Sequence, residues 1–126
     1  MATFGPVVVV SVPVADQDHA KAFFVESLGF TVETDMVTPG MRWLQIAPPA
    51  GGASLSLVTW FDAMQPGGLR GVVIATDDIE AMHAQLTERG VDIDEIDDQP
   101  WGRFASFRDV DGNGFVLMQP PAGMTR

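Results

Sequence analysis

The sequence predicts an α+β fold in which two copies of a βαβββ unit form an open, barrel-like pair of mixed sheets. Three observations support this prediction: the two halves of the 126-residue chain align with each other, each half has one helical segment followed by three extended runs, and both helices end at a glycine. A four-stranded sheet with one helix buries only one of its faces. The other faces are therefore expected to enclose a packed core or a cleft.

The internal repeat is clearest when Val9 is aligned with Gly71, because residues of similar character then coincide along most of both halves. Only two copies are present, so the pattern indicates a duplicated supersecondary unit rather than a solenoid. We expect a single domain over 1–126, with one copy at about 7–60, a linker at about 61–68 and a second copy at about 69–119.

Each copy begins with an apolar strand that ends at an acidic helix start. The starts are Ala15-Asp16-Gln17-Asp18 and Thr76-Asp77-Asp78, and the spacing of Asp77 and Glu80 predicts a capping box. Both helices are expected to end in a left-handed glycine, at Gly29 and Gly90. Strands are predicted at about 30–34, 42–47 and 53–59 in the first copy and 91–96, 101–108 and 114–119 in the second.

The composition excludes several classes of function. Seventeen acidic residues against seven basic ones give a net charge of -10, which repels polyanions, so we expect no nucleic-acid partner. The chain has no cysteine, which excludes disulfides, thiolate metal sites and a thiol nucleophile. The apolar run at 7–10 is too short for a signal peptide or a membrane span. A cytoplasmic protein without membrane contact is therefore expected.

Short motifs accompany the repeat: Val14-Ala15-Asp16 before the first helix, Ser27-Leu28-Gly29-Phe30 at its end, and Asp109-Val110-Asp111-Gly112-Asn113 near the C-terminus. Together they resemble the vicinal oxygen chelate superfamily, which holds glyoxalase I, extradiol dioxygenases, fosfomycin-resistance enzymes and bleomycin-resistance proteins. The resemblance extends from about residue 7 to 119. It implies curved sheets in an open barrel and, since many members dimerise, a homodimer.

The resemblance also implies a divalent metal held by His or Glu at four strand positions. Carried over to this chain, the former metal positions are Val9, Ser56, Gly71 and Val116. They offer nothing but one weak serine hydroxyl, and their neighbours supply no displaced ligand. The histidines, His19 and His83, lie in the predicted helices. We therefore expect neither a metal nor another cofactor.

Residues that share a strand face with these positions are predicted to line the cleft. The predicted cleft residues are Ser11, Trp43, Gln45, Ser54, Ser56, Val58, Val73, Phe104, Ser106 and Met118, with Trp60 and Trp101 at the rim. This lining is aromatic and lacks a titratable group, which suits a flat, largely apolar ligand. Alternatively, the aromatic rings fill the space themselves. Arg42 and Arg103 are expected to point away and to bind carboxylates.

The main functional hypothesis is a metal-free binding protein, similar to the bleomycin-resistance proteins, that holds an aromatic or drug-like ligand. Two alternatives stay open, and no catalytic residue is assigned. One is a metal-independent lyase, isomerase or hydrolase that uses Ser56, Ser106 or Arg103. The other is a dimeric scaffold with a filled cleft. Because a serine without a histidine partner is a weak nucleophile, binding is favoured over catalysis.

Overall fold

The computed structural model describes residues 2–121, which form two halves, a βαβββ unit and a second such unit in which the strand after the helix is split in two. The first half contains β1 (Val9–Pro13), α1 (Gln17–Ala22, continued by a π-helical segment at Phe23–Ser27), β2 (Thr31–Thr38), β3 (Met41–Ala47) and β4 (Ser54–Val58). The second contains β5 (Val72–Ala75), α2 (Ile79–Glu88), β6 (Asp92–Ile93), β7 (Asp97–Gln99), β8 (Gly102–Arg108) and β9 (Gly114–Gln119).

Each half has a mixed sheet of its own. The first, the N-sheet, has the strand order β1-β4-β3-β2, and the second, the C-sheet, has the order β5-β9-β8-β6 with β7 also paired to β8. In both sheets the first and last strands of the half run parallel, and the other pairs are antiparallel. The predicted α+β fold, an open pair of mixed sheets, is confirmed.

The helix ends agree with the sequence except at one cap. Asp16 caps α1 by accepting a hydrogen bond from the His19 backbone N–H (3.0 Å). Asp78, not Asp77, caps α2 through the Ala81 backbone N–H (3.1 Å), so the predicted capping box is wrong by one residue. The third helical position is then an alanine, which cannot return the bond. Positive φ angles of 78° at Gly29 and 79° at Gly90 confirm the left-handed ends.

The acidic strand predicted at 91–96 is split into β6 and β7. Both short strands pair with β8, and the chain leaves the ladder between them. Arg108 of β8 binds Asp92 and Asp94 from this edge, each at 2.8 Å. The side chains of Ile93 and Ile96 pack against the core. In this split segment, Asp92 and Asp94 therefore form ion pairs at the surface, while Ile93 and Ile96 pack against the core.

One hydrophobic core joins the two halves. It is formed by one face of each sheet together with the helices, and we call these the helix faces of the sheets. Phe24 of the π-helical segment, fully buried, packs its ring against Phe115 of β9 with centroids 5.7 Å apart. The core includes Val12, Leu44, Ile46, Leu55 and Leu57 from the N-sheet and Ala105, Phe107, Phe115 and Leu117 from the C-sheet.

The turn at 109–113 ties the halves together by hydrogen bonds. Asn113 is fully buried, and its Nδ2 donates to the Pro13 carbonyl and to Asp109 Oδ2, both at 2.8 Å. Its Oδ1 accepts a bond from the Leu69 backbone N–H (3.1 Å). Asp111 accepts another from the Ala15 backbone N–H (3.2 Å). The end of β1 is therefore fixed to the second half.

The helices are short. Within residues 2–121, none has the length and apolar character that crossing a bilayer requires.

Candidate functional site

The predicted cleft residues of the N-sheet lie on one face, opposite the helix face. Ser11 of β1 and Gln45 of β3 both pair with Ser56 of β4, and Val9 pairs with Ser54. Paired residues on neighbouring strands point to the same side of a sheet. The register therefore brings together the N-sheet part of the predicted lining, and we call this side the cleft face.

An aromatic row borders this cleft face. The rings of Trp43 and Trp60 have centroids 6.2 Å apart and an interplanar angle of 32°. Phe61 continues the row at 6.1 Å from Trp60. Both tryptophans are half-buried, so part of each indole is accessible. The pair offers a broad apolar surface beside the strand hydroxyls.

A chain of hydrogen bonds connects this aromatic row to a carboxylate. Trp43 Nε1 donates to Gln45 Oε1 (3.0 Å), and Gln45 Nε2 donates to Glu33 Oε1 (3.0 Å). Ser54 Oγ donates to the same carboxylate oxygen (2.5 Å). We call Trp43, Gln45, Glu33 and Ser54 the polar relay. The hydrogen bonds of the polar relay end at Glu33, whose Oε1 accepts from both Gln45 and Ser54.

Sequence reasoning missed Glu33, and the prediction that the cleft lacks a titratable group is wrong. Val32 pairs with Ile46 and Thr34 with Gln45, so Glu33 is the extra residue of a β-bulge. Such a bulge changes the side to which a strand side chain points. The signal that could have found Glu33 is its place next to Val32 on β2, a strand from which no cleft residue was predicted. Val32 packs against the core, so alternation from Val32 already directs Glu33 to the cleft face, and the bulge brings Thr34, which pairs with Gln45, to the same face.

The deepest part of the cleft face is closed. Ser56 is 0% exposed, and its Oγ has no hydrogen-bond partner among residues 2–121. Ser54 and Val58 on the same strand are also buried. These residues form the floor under the accessible aromatic row. Ser56 is thus poorly placed for the nucleophilic role that one alternative assigned to it.

The predicted residues of the C-sheet also share one face. Val116 of β9 pairs with both Val73 and Ser106, and Met118 pairs with Phe104. This face is more open than that of the N-sheet, because Val73 is 54% exposed. Trp101, immediately before β8, is 65% exposed. The surface is apolar and uncovered.

The two matched arginines point away from the cleft faces, as predicted. Arg42 binds Asp35 (2.8 Å) and Asp18 of α1 (2.7 Å). The Arg42 guanidinium, helped by Lys21, holds the pKa of Asp35 well below its usual range. Arg103 binds Asp98 and Glu80 of α2. With its guanidinium neutralised in this way, Arg103 is not available to an anionic ligand in the cleft.

Two cavities lie between the halves, and neither is walled by both cleft faces. The larger, of about 880 Å³, lies near the helices and is lined by Leu28, Phe30, Met82, Arg89 and Leu117 among others. The smaller, of about 380 Å³, places Val73 opposite Val10 and Leu55 of the N-sheet helix face. The hydrogen bonds that tie the halves also lie at strand ends. A cleft enclosed by the two sheets therefore stays a prediction.

The whole span of this double unit matches a known family. The sequence model of the Glyoxalase/Bleomycin resistance protein/Dioxygenase superfamily covers residues 6–117. The chain belongs to this superfamily. The chain is also 35% identical over 115 residues to YetH of Bacillus subtilis (strain 168), with 87% of this chain and 94% of YetH covered.

Several solved structures are similar to this chain in both fold and sequence. TnmS3, an antibiotic binding protein from Streptomyces sp. CB03234, superposes with a TM-score of 0.91 at 47% identity, over 96% of this chain and 100% of TnmS3. A glyoxalase/bleomycin resistance protein from the same organism gives 0.83 at 49% identity, over 90% and 99%. A superfamily member from Sphaerobacter thermophilus DSM 20745 gives 0.85 at 34% identity, over 92% and 98%.

The divalent metal that membership implies does not fit the residues at the four former metal positions. Val9, Gly71 and Val116 have no donor atom in their side chains, and the hydroxyl of Ser56 is buried. Over residues 2–121, no three His, Asp or Glu side chains come together as a metal site would require. His19 is exposed on α1, and His83 Nε2 lies 2.8 Å from the Asp94 carbonyl oxygen.

Proposed function

We propose that this superfamily member is a metal-free binding protein that holds an aromatic, drug-like small molecule on the cleft face of the N-sheet. The observation that carries the proposal is the Trp43–Trp60 pair, whose indoles are both partly accessible. The hydrogen bond from Trp43 to Gln45 fixes the orientation of the first indole. Likeness to TnmS3, an antibiotic binding protein, supports the same function.

The free energy of binding would come from burying the flat apolar face of an aromatic ligand against the indoles of Trp43 and Trp60. Aromatic pairs gain free energy from ring contacts in addition to the area they remove from water. Trp43 needs little reorganisation on binding because its Nε1 already has an acceptor in Gln45. A preorganised side chain loses less conformational entropy when a ligand arrives. The face is therefore suited to a planar ligand.

The proposal includes a homodimer in the cytoplasm. Over residues 2–121, β1 pairs with β4 alone and β5 with β9 alone, so each sheet presents an open edge. Val8, just before β1, is 69% exposed and extends this apolar edge. Exposed edges of this kind favour association with another strand. A second copy that pairs along one of these edges would cover it. Sedimentation equilibrium of the full chain tests this, and a mass of two chains is expected.

Binding is tested with a panel of aromatic antibiotics and natural products in a thermal-shift screen, followed by calorimetric titration of any compound that raises Tm. Trp43→Ala is expected to weaken binding about 10-fold or more, as loss of a central aromatic contact does. Val37→Ala, an exposed residue of the same hairpin on the helix-face side, is the control and should leave Kd unchanged.

Two results would contradict the proposal. One is a panel in which no aromatic compound raises Tm or gives a binding isotherm. The other is a stoichiometric, tightly held metal found by elemental analysis of untagged protein, since the donor set described above supplies no site for it.

A further inference from the structure

We infer that the ligand of the cleft face carries a hydrogen-bond donor on its aromatic ring, such as a phenolic hydroxyl, and that Glu33 selects for it. This inference rests on the proposed function and names the chemical class of ligand for the same site. It begins from the polar relay, in which a carboxylate lies at the end of a row of donors beside two indoles.

The hydrogen bonds at Glu33 are distributed unequally between its two carboxylate oxygens. Oε1 accepts from both Ser54 Oγ and Gln45 Nε2. Oε2 accepts no hydrogen bond from residues 2–121, and Glu33 forms no ion pair with the lysine and arginines of that part of the chain. Glu33 is exposed, so Oε2 is accessible. Because Oε1 is held by two hydrogen bonds, Oε2 is left as an acceptor that can bind a donor group of a ligand.

The surroundings restrict what that donor can be attached to. Gln45 bridges Glu33 and Trp43 through two hydrogen bonds of 3.0 Å, so one side chain separates the carboxylate from the indole pair. Ser56, on the floor of the same face and in register with Gln45, has a fully buried hydroxyl without a partner. The buried floor residues of β4 therefore do not compete with Glu33, and the other hydroxyl of this face near Ser56 is that of the half-buried Ser11 on β1. A planar ring with a donor at its edge satisfies both the indole surface and the carboxylate.

Selection by an acceptor works through the cost of a mismatch. A ligand that presents an ether oxygen to Oε2 places two acceptors against each other, and the carboxylate loses water without gaining a bond. Sites built to bind a hydroxyl reject analogues that lack it much more strongly than apolar pockets reject an added group. Glu33 is in this sense a specificity residue and needs no role in chemistry.

The test uses 2,7-dihydroxynaphthalene and 2,7-dimethoxynaphthalene, which share a ring system and differ in donors. Calorimetric titration of the wild-type chain at pH 7 should give a Kd about 10-fold or more lower for the diol. Glu33→Gln keeps the shape and, with its oxygen held by Ser54 and Gln45, replaces the free acceptor by an amide donor. The preference is then expected to vanish or reverse. Glu88→Gln, an exposed acid on α2, is the matched control and should keep it.

Each outcome decides the matter. Equal affinity of the wild-type chain for both compounds would overturn the inference about Glu33 while leaving aromatic binding intact. A preference for the diol that persists in Glu33→Gln would overturn it as well. If neither compound binds the wild-type chain, the inference about Glu33 fails as well, while the proposed function is decided separately by the panel of aromatic antibiotics and natural products. The wild-type comparison needs no variant, so a substitution that unfolds the chain does not remove the test.

Discussion

Replacing Asn113 by alanine is expected to lower the free energy of unfolding by about 3–6 kcal/mol. The change removes three side-chain hydrogen bonds at a residue that is 0% exposed. The Pro13 carbonyl and the Leu69 backbone N–H each lose a partner inside the protein. A buried polar group left without a partner costs about 1–3 kcal/mol, and these two groups account for most of the expected loss.

Urea unfolding at pH 7, followed by tryptophan fluorescence and by far-ultraviolet circular dichroism, measures this loss. For a domain of this size the same change lowers Tm by roughly 10 °C or more. Gln65→Ala removes one exposed side-chain hydrogen bond, to the Asp62 carbonyl, and serves as the control with an expected change of under about 0.5 kcal/mol. A loss below about 1 kcal/mol for Asn113→Ala would refute the reasoning, because the tie between the halves would then be unimportant to stability.

Asn113→Asp keeps the hydrogen-bond acceptor of this side chain and removes its donor, so it tests the two roles separately. The carboxylate keeps the bond from the Leu69 N–H but faces the Pro13 carbonyl and Asp109 Oδ2 without a proton to share. Burial already raises the pKa of Asp109, so a second carboxylate beside it is unfavourable at pH 7. The variant should therefore recover part of its stability, relative to wild type, as the pH falls and one of the pair becomes protonated.

Two further predictions concern charge and backbone. Asp35 has a folded-state pKa below its unfolded value because Arg42 binds it, so its contribution is present above the unfolded pKa and is lost as the pH falls through the folded one. Asp35→Asn should destabilise the chain at pH 7, and urea curves should show the same difference from wild type at pH 7 and pH 5 and a smaller one at pH 3, below the unfolded-state pKa; an equal difference at all three pH values would contradict the ion pair. Gly90→Ala, at φ 79° with open space around the new Cβ, should cost about 1 kcal/mol by backbone strain alone. Gly5→Ala, with negative φ and open space, is its control, and equal Tm for both variants would contradict the left-handed cap.

Much of the fold could be predicted because the duplication states each local signal twice. The glycines that end α1 and α2 occupy the same position in each copy, and an aligned pair is stronger than either glycine alone. The outward direction of Arg42 and Arg103 followed from strand alternation, since both lie one residue from an aromatic residue of the cleft face. Local chemistry and period 2 determine these features.

The features that the sequence did not predict depend on tertiary contacts or on a choice between adjacent residues of equal local propensity. The bulge at Glu33 depends on how β2 pairs with β3 while Val32 packs in the core, which is a tertiary effect. No residue type near Glu33 is specific to a bulge. The π-helical end of α1 places Phe24 on Phe115 of the other half, a contact between distant segments that local propensity does not encode. The cap at Asp78 rather than Asp77 is a choice between two adjacent aspartates with equal propensity.

The hydrogen bonds that Asn113 makes between the halves have no counterpart in the first half, so insertions and substitutions are tolerated differently in the two copies. In the internal alignment Ala53 occupies the equivalent position, and an alanine side chain cannot bond to the end of β5. The loop that contains Gly51 and Gly52 is exposed and borders the smaller cavity between the halves. Loops without such ties tolerate insertion, whereas the turn at 109–113 has a fixed length. The first copy therefore holds the segment in which length and sequence are free to diverge, while the second copy holds the joint that keeps the duplicated units together.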